Sequence, residues 1–160
     1  MLGLIAAVIF ALSGAGAWWY SSGSADYTKA RNRDSVLITA KQSIAVLNSL
    51  DYRQIDDGLA SWRKVSTGTL ADQFNEIDAQ DRALLADQKK ISQGKVVEAA
   101  VLDVSADTAT VLASAEVTVR DGTNPDAEPT IKRHRYSANL VREKGEWKVS
   151  TLEQVAVQLS

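Results

Sequence analysis

The chain has 160 residues, enough for one ordinary domain and a short extra element by a prior of roughly 100–200 residues per domain. A formal net charge of −2 gives no electrostatic case for a nucleic-acid partner, whose binders concentrate basic charge on one face. With no cysteine and one histidine, disulfides, thiolate zinc sites and multi-histidine metal sites within one chain are excluded, although a carboxylate site is not.

The first segment, "MLGLIAAVIFALSGAGAWWY", carries no charged side chain over residues 1–20. Twenty helical residues span about 30 Å, the hydrocarbon thickness of a bilayer. "AGA" at Ala15–Ala17 fits a signal-peptidase site, but no Lys or Arg precedes the apolar core, which exceeds the usual signal length. Trp18, Trp19 and Tyr20 stand where an interfacial aromatic belt would stand. The expectation is a single transmembrane helix over 1–20, touching membrane lipids, with those aromatics as interface anchors. Gly3, Ala7, Ala11 and Ala15 recur every four residues and form a small-residue stripe on which a partner helix can pack. Lys29, Arg31 and Arg33 all follow the span, so the positive-inside rule alone puts that side in the cytoplasm.

Residues 21–34 read as a flexible hinge ("SSGSA") and the juxtamembrane start of a helix, and 35–160 as the soluble domain. Val36, Leu37, Ala40, Ile44 and Leu47 repeat at three- and four-residue intervals and predict one buried helical stripe. "LDYRQI" at Leu50–Ile55 groups catalytic residue types, yet a helix start explains them. Asp51 and Gln54 have capping-box spacing, Leu50 and Ile55 are placed as a hydrophobic staple, and Asp56 and Asp57 suit the helix dipole. Ile55, Leu59 and Trp62 follow on one face. After the break at "STGT", Thr69 is placed to cap a helix in which Leu70, Ile77, Leu84 and Ile91 recur every seven residues. Asp81 and Gln88 interrupt that stripe, so the helix is expected to bend or divide, with Lys89 and Lys90 in its last turn and Gly94 as its stop. The helices thus occupy about 27–93.

The period then changes to two. Strands are predicted at Lys95–Val104, Thr108–Arg120, Thr130–Arg142 and Trp147–Val157, within about 95–157. In the second, Ala109, Val111, Ala113, Ala115, Val117 and Val119 share one face. The register of Trp147 and Val149 differs by one from that of Leu152, which predicts a bulge near Ser150 and Thr151. Helices followed by an antiparallel meander make an α+β fold, here a curved four-stranded sheet packed on helices.

The one basic run is "KRHR". On a strand, Lys132 and His134 point one way and Arg133 and Arg135 the other, which suits a solvated face beside Glu116; contact with an acidic partner or lipid headgroups is the alternative. No nucleotide loop, zincin helix or nucleophile elbow is present. Asp103 and Glu116 form no acid/base pair by spacing, and Tyr52, Trp62 and Tyr136 read as core or rim aromatics. No catalytic, metal-ligating or cofactor-binding residue is assigned, and no cofactor is expected.

Several stretches occur together in a familiar order: "LNSLDYRQIDDGL" (Leu47–Leu59), "TGTLADQF" (Thr67–Phe74), "SQGKVVEAAV" (Ser92–Val101) and "RYSANLVREKGEWKVSTLEQV" (Arg135–Val155). They resemble the Mce-associated membrane proteins of actinobacteria over residues 35–157. The resemblance implies an NTF2-like (cystatin-like) domain outside the plasma membrane on a single-pass anchor. It implies a non-enzymatic accessory subunit of an Mce-type lipid importer for fatty acids or sterols. Mce proteins, permease subunits and other NTF2-like accessory subunits would be its partners. The architecture is also similar to the VirB8-type scaffold of type IV secretion. An NTF2-like fold equally hosts lipid-binding proteins and isomerases or dehydratases, which need a deep pocket with a buried titratable group. Relatives often carry charge before the membrane helix, and this chain begins almost inside it; a bare anchor or an upstream start would account for the inverted charge count.

Overall fold

In the computed structural model, residues 29–155 are described. The anchor assigned to 1–20, the aromatic belt Trp18–Tyr20 and the stripe Gly3, Ala7, Ala11 and Ala15 lie outside them. Among the described residues no helix is long and apolar enough to cross a membrane. The chain divides into two compact units, Met1–Asp34 and Ser35–Ser160. Of the first unit only residues 29–34 are described, as helix.

The second unit is an α+β domain. Helix α1, described over residues 29–47, is followed by β1 (Leu50–Asp51), a 3₁₀ turn (Tyr52–Gln54), α2 (Ile55–Val65), α3 (Gly68–Asn75) and α4 (Ala79–Asp87). Then come β2 (Lys90–Val104), β3 (Thr108–Asp121), β4 (Thr130–Glu143) and β5 (Glu146–Gln154). The five strands form one antiparallel sheet in chain order, β1-β2-β3-β4-β5. From β2 onward the meander follows from direct connections, since antiparallel neighbours need only turns or loops, whereas β1 reaches β2 through the intervening helices. The β4–β5 connection is two residues, Lys144 (φ 51°) and Gly145 (φ 89°), the doubly positive backbone that matches strand twist.

The core sits between α1 and one face of the sheet. Of the predicted stripe, Val36, Ala40 and Ile44 are fully buried and Leu37 and Leu47 are partly buried against them. Opposite them lie Ala109, Val111, Ala113, Ala115 and Val117 of β3, all buried, with Val101, Ala138, Leu140, Trp147 and Val149 from the neighbouring strands. Alanines at three of those β3 positions let the helix sit close, so the inner face is filled by protein. The predicted bulge is present: Asn139 pairs with Thr151 and Leu140 with Val149, so Ser150 is the extra residue, and its hydroxyl donates to the Asn139 carbonyl at 3.1 Å. Two further bulges interrupt β2, at Val97 and Leu102. Each places an exposed apolar side chain outside the alternation, which is why both faces of this strand read as apolar.

Several sequence expectations are corrected. The sheet has five strands because Leu50 and Asp51 pair with Ser92 and Ile91. Asp51 therefore starts no α-helix: its carboxylate accepts the Arg53 backbone N–H at 3.0 Å and grips the Arg53 guanidinium, while Gln54 makes no cap bond. The Arg53 cation holds the Asp51 carboxyl below the usual carboxylate range. Thr69 lies inside α3 rather than capping it, and the N-cap, Thr67, makes no side-chain cap bond.

The long heptad helix divides, and its second half begins at a capping box that the spacing alone did not single out. Asp78 accepts from Gln80 and Asp81 N–H at 2.8 and 2.9 Å, and Asp81 accepts from Asp78 N–H. The helices end at Asp87, not near 93. Lys89 turns the backbone to φ 50°, and β2 starts at Lys90, five residues before the predicted start. Gly94 is no helix stop; it lies within β2, against the C-terminal end of α1. The last strand ends at Gln154.

Trp62 ties α2 to the end of α1. Its indole N–H donates to the Val46 and Ser49 carbonyls at 2.9 and 3.0 Å, and its ring packs on Phe74 with centroids 5.3 Å apart. Trp62→Phe keeps the packing and leaves those carbonyls without the donor. We expect it to cost about 1–2 kcal/mol, read by urea unfolding.

Candidate functional site

The four residues of "KRHR" do not form one patch. On β4, Lys132 and His134 pair with Val117 and Ala115, and Arg133 and Arg135 with Glu116 and Ser114, so the run alternates between the two faces. Arg133 donates to Glu116 at 2.8 Å, an exposed cross-strand ion pair of the kind that contributes little alone. The His134 ring lies 5.9 Å from that of Tyr136, and its Nδ1 is buried without a hydrogen-bond partner among the described residues. Among the described residues no nucleophile or carboxylate is hydrogen-bonded to that nitrogen.

Tyr136 occupies the inner face and donates its hydroxyl to Asn48 Oδ1 at 2.6 Å, while Asn48 Nδ2 donates to the Ile44 carbonyl at 2.8 Å. Burial pushes the Tyr136 phenol above its ordinary value, which keeps it a neutral donor. This link joins the C-terminus of α1 to the middle of the sheet. It is structural, and so is Tyr52, whose hydroxyl reaches the Gly122 carbonyl at 3.4 Å. At the same corner Asp121 accepts from Lys90 at 2.7 Å and from Thr123, which holds its carboxyl far below the usual range. That contribution is present above the ordinary carboxylate pKa and is lost as pH falls towards the native value.

Among the described residues the buried polar side chains are Ser43 and Ser66, and no carboxylate or cation is buried. Among them also, no group of three metal-ligating side chains converges. Several open grooves mark the surface of the described residues. One, of about 680 Å³, lies along β2–β4 and is lined by Lys41, Glu98, Leu112, Arg135 and Tyr136 among others. A second, of about 450 Å³, is lined by residues of α1, β1, α2 and the Ser92–Gly94 stretch of β2. A third, of about 790 Å³, lies between α1, α2 and the β4–β5 turn. Sequence reasoning found none of them, because each is assembled from elements distant in the chain.

The same architecture recurs in solved structures at identities that speak to fold alone. An IcmL-like type IV secretion system protein from Legionella pneumophila superimposes with a TM-score of 0.62 at 10% identity, over 80% of this chain and 95% of that one. The periplasmic domain of DotI gives 0.61 at 14%, over 78% and 95%. CagV, a VirB8 homolog from Helicobacter pylori, gives 0.60 at 9%, over 78% and 99%. The domain therefore has the VirB8-type, NTF2-like fold. By sequence, the chain is 28% identical over 116 residues to Rv1363c of Mycobacterium tuberculosis, covering 72% of this chain and 44% of that protein. It thus spans less than half the length of this curated relative. Residues 2–156 match the family described as "Uncharacterized protein Rv1363c/MT1408-like", and the chain belongs to that family.

Proposed function

We propose that this chain is a non-enzymatic scaffold subunit of an envelope-spanning transport complex, of the VirB8 type, with its domain outside the plasma membrane. The observation that carries the reading is the extent of the fold match. Most of the chain, and nearly all of each neighbour, share one arrangement with proteins described as type IV secretion components or periplasmic domains. The interior supports it: alanines, valines and leucines fill the space that an NTF2-like enzyme would keep open around a titratable group. The side chains left for function are on the exterior, which suits holding partners.

A second reading keeps the scaffold role and changes the complex. The order of "LDYR", "TGTLADQF" and "REKGEWKVS" favours an Mce-type lipid importer, with Mce proteins or permease subunits as partners. Affinity purification of the full chain from gently solubilised native membranes separates the two. Secretion-type subunits support the first reading and Mce or permease subunits the second; recovery of the chain alone contradicts both. Protease treatment of spheroplasts checks the topology, which requires the domain to be digested from outside.

A further inference from the structure

Two neighbouring rows of side chains cross β2, β3 and β4 on one face of the sheet, and only one of them is balanced. In the first, Lys95, Glu116 and Arg133 stand side by side by register, and the central Glu116 accepts from Arg133 at 2.8 Å. In the next, the partners are Glu98, Ser114 and Arg135. The central position is now a serine, so Glu98 and Arg135 stand two strands apart, about 10 Å between backbones. They form no ion pair with each other.

This second row lies in the groove of about 680 Å³, which Lys41 of α1 also lines. Among the described residues none of Lys41, Glu98 and Arg135 makes an ion pair or a side-chain hydrogen bond. The groove therefore holds two unpaired cations against one unpaired carboxylate. The rest of its lining is uncharged and mostly apolar, with Val97, Leu112 and Val155 exposed. Apolar side chains gathered in one concave place mark an interaction surface, where the same residues scattered singly would not.

We propose that this groove docks an apolar segment of another envelope protein that carries one Asp or Glu side chain. The apolar side chains of that segment cover Val97, Leu112 and Val155. Its carboxylate stands over Ser114, where Glu116 stands in the neighbouring row, and accepts from Arg135 by a charge-assisted bond. Lys41 adds to the attraction, and Glu98 opposes a second carboxylate, so a single acidic residue fits better than an acidic run. The inference rests on the scaffold reading and gives the chemistry of one partner.

The test places a photoreactive amino acid at Leu112 or Val155 of the full chain in living cells and identifies the adducts by mass spectrometry. Leu84 and Ile131, exposed outside this groove, are the reference positions. Adducts from both groove positions are expected on one apolar segment of another envelope protein, with an acidic residue in it. Their yield should fall about tenfold in Arg135→Ala and stay unchanged in Arg133→Ala. The Arg135 side chain is exposed and bonds nothing within the domain, so its removal leaves the fold intact. Yield unchanged in both Arg135→Ala and Lys41→Ala overturns the proposal, as does a segment without an acidic residue. Adducts only to lipid, or only to a second copy of this chain, overturn it by giving the groove another occupant. Crosslinks to envelope subunits from Leu84 or Ile131 alone overturn the docking site and leave the scaffold reading standing. Absence of adducts at all four positions overturns both.

Discussion

Ile44→Ala is expected to lower the unfolding free energy by about 2–5 kcal/mol, the range for truncating a fully buried aliphatic side chain. Ile44 is 0% exposed and belongs to the cluster that joins α1 to β2–β5. The same cluster includes Ala109, Ala113 and Ala115, which have no side-chain reach to fill space left within it. The cavity term therefore adds to the lost transfer free energy. Urea unfolding followed by circular dichroism reads the loss as a lower midpoint at unchanged slope. Ile38 is a built-in control on the same helix: it is 58% exposed, and Ile38→Ala should stay within about 0.5 kcal/mol. Equal losses at the two positions would contradict the assignment of the buried stripe.

Gly94→Ala should also be severe, for the opposite reason. A Cβ at this position would stand 2.6 Å from Asn48 Cβ and 2.7 Å from the Ala45 carbonyl oxygen. The second contact is backbone, so relief requires α1 to move away from β2. Overpacking of this kind costs about 1–3 kcal/mol. The displacement also strains two bonds anchored there, Gly94 N–H to Ser49 Oγ at 2.9 Å and Tyr136 to Asn48 at 2.6 Å. Ser49→Ala removes the first bond, together with the Ser49 hydroxyl's donation to the Ala45 carbonyl at 2.8 Å, and should cost about 1–2 kcal/mol. A Gly94→Ala variant as stable as the parent would show that α1 does not lie against β2 in the way described.

Periodicity made the larger elements legible. The spacing of Val36, Ala40 and Ile44, the alternation of β3 and the register change around Ser150 all survive in the structure, because each is a local pattern that burial enforces. The failures cluster where local patterns compete. Leu70, Ile77, Leu84 and Ile91 imitate a helical heptad, yet Leu84 is 58% exposed and Ile91 pairs in β2. Capping at Asp78 and the left-handed Lys89 override the repeat. Gly94 reads as a helix stop because a sequence does not reveal which backbone a glycine must admit. The strand β1 is two residues long, too short for any periodic signal. "KRHR" was legible as a run divided between two faces, but the groove beside Leu112 was not, since its walls come from residues about 110 positions apart and only folding brings them together.

A VirB8-type scaffold would act through its surface rather than through chemistry in its interior. Site-specific photocrosslinking in living cells tests this most directly, with a photoreactive amino acid at the exposed positions Leu84, Val97 and Ile131. Discrete crosslinks from at least one of these positions to other envelope transport subunits are the expected result. Crosslinks to no other envelope protein at any of the three, with the full chain present at native levels, would contradict it.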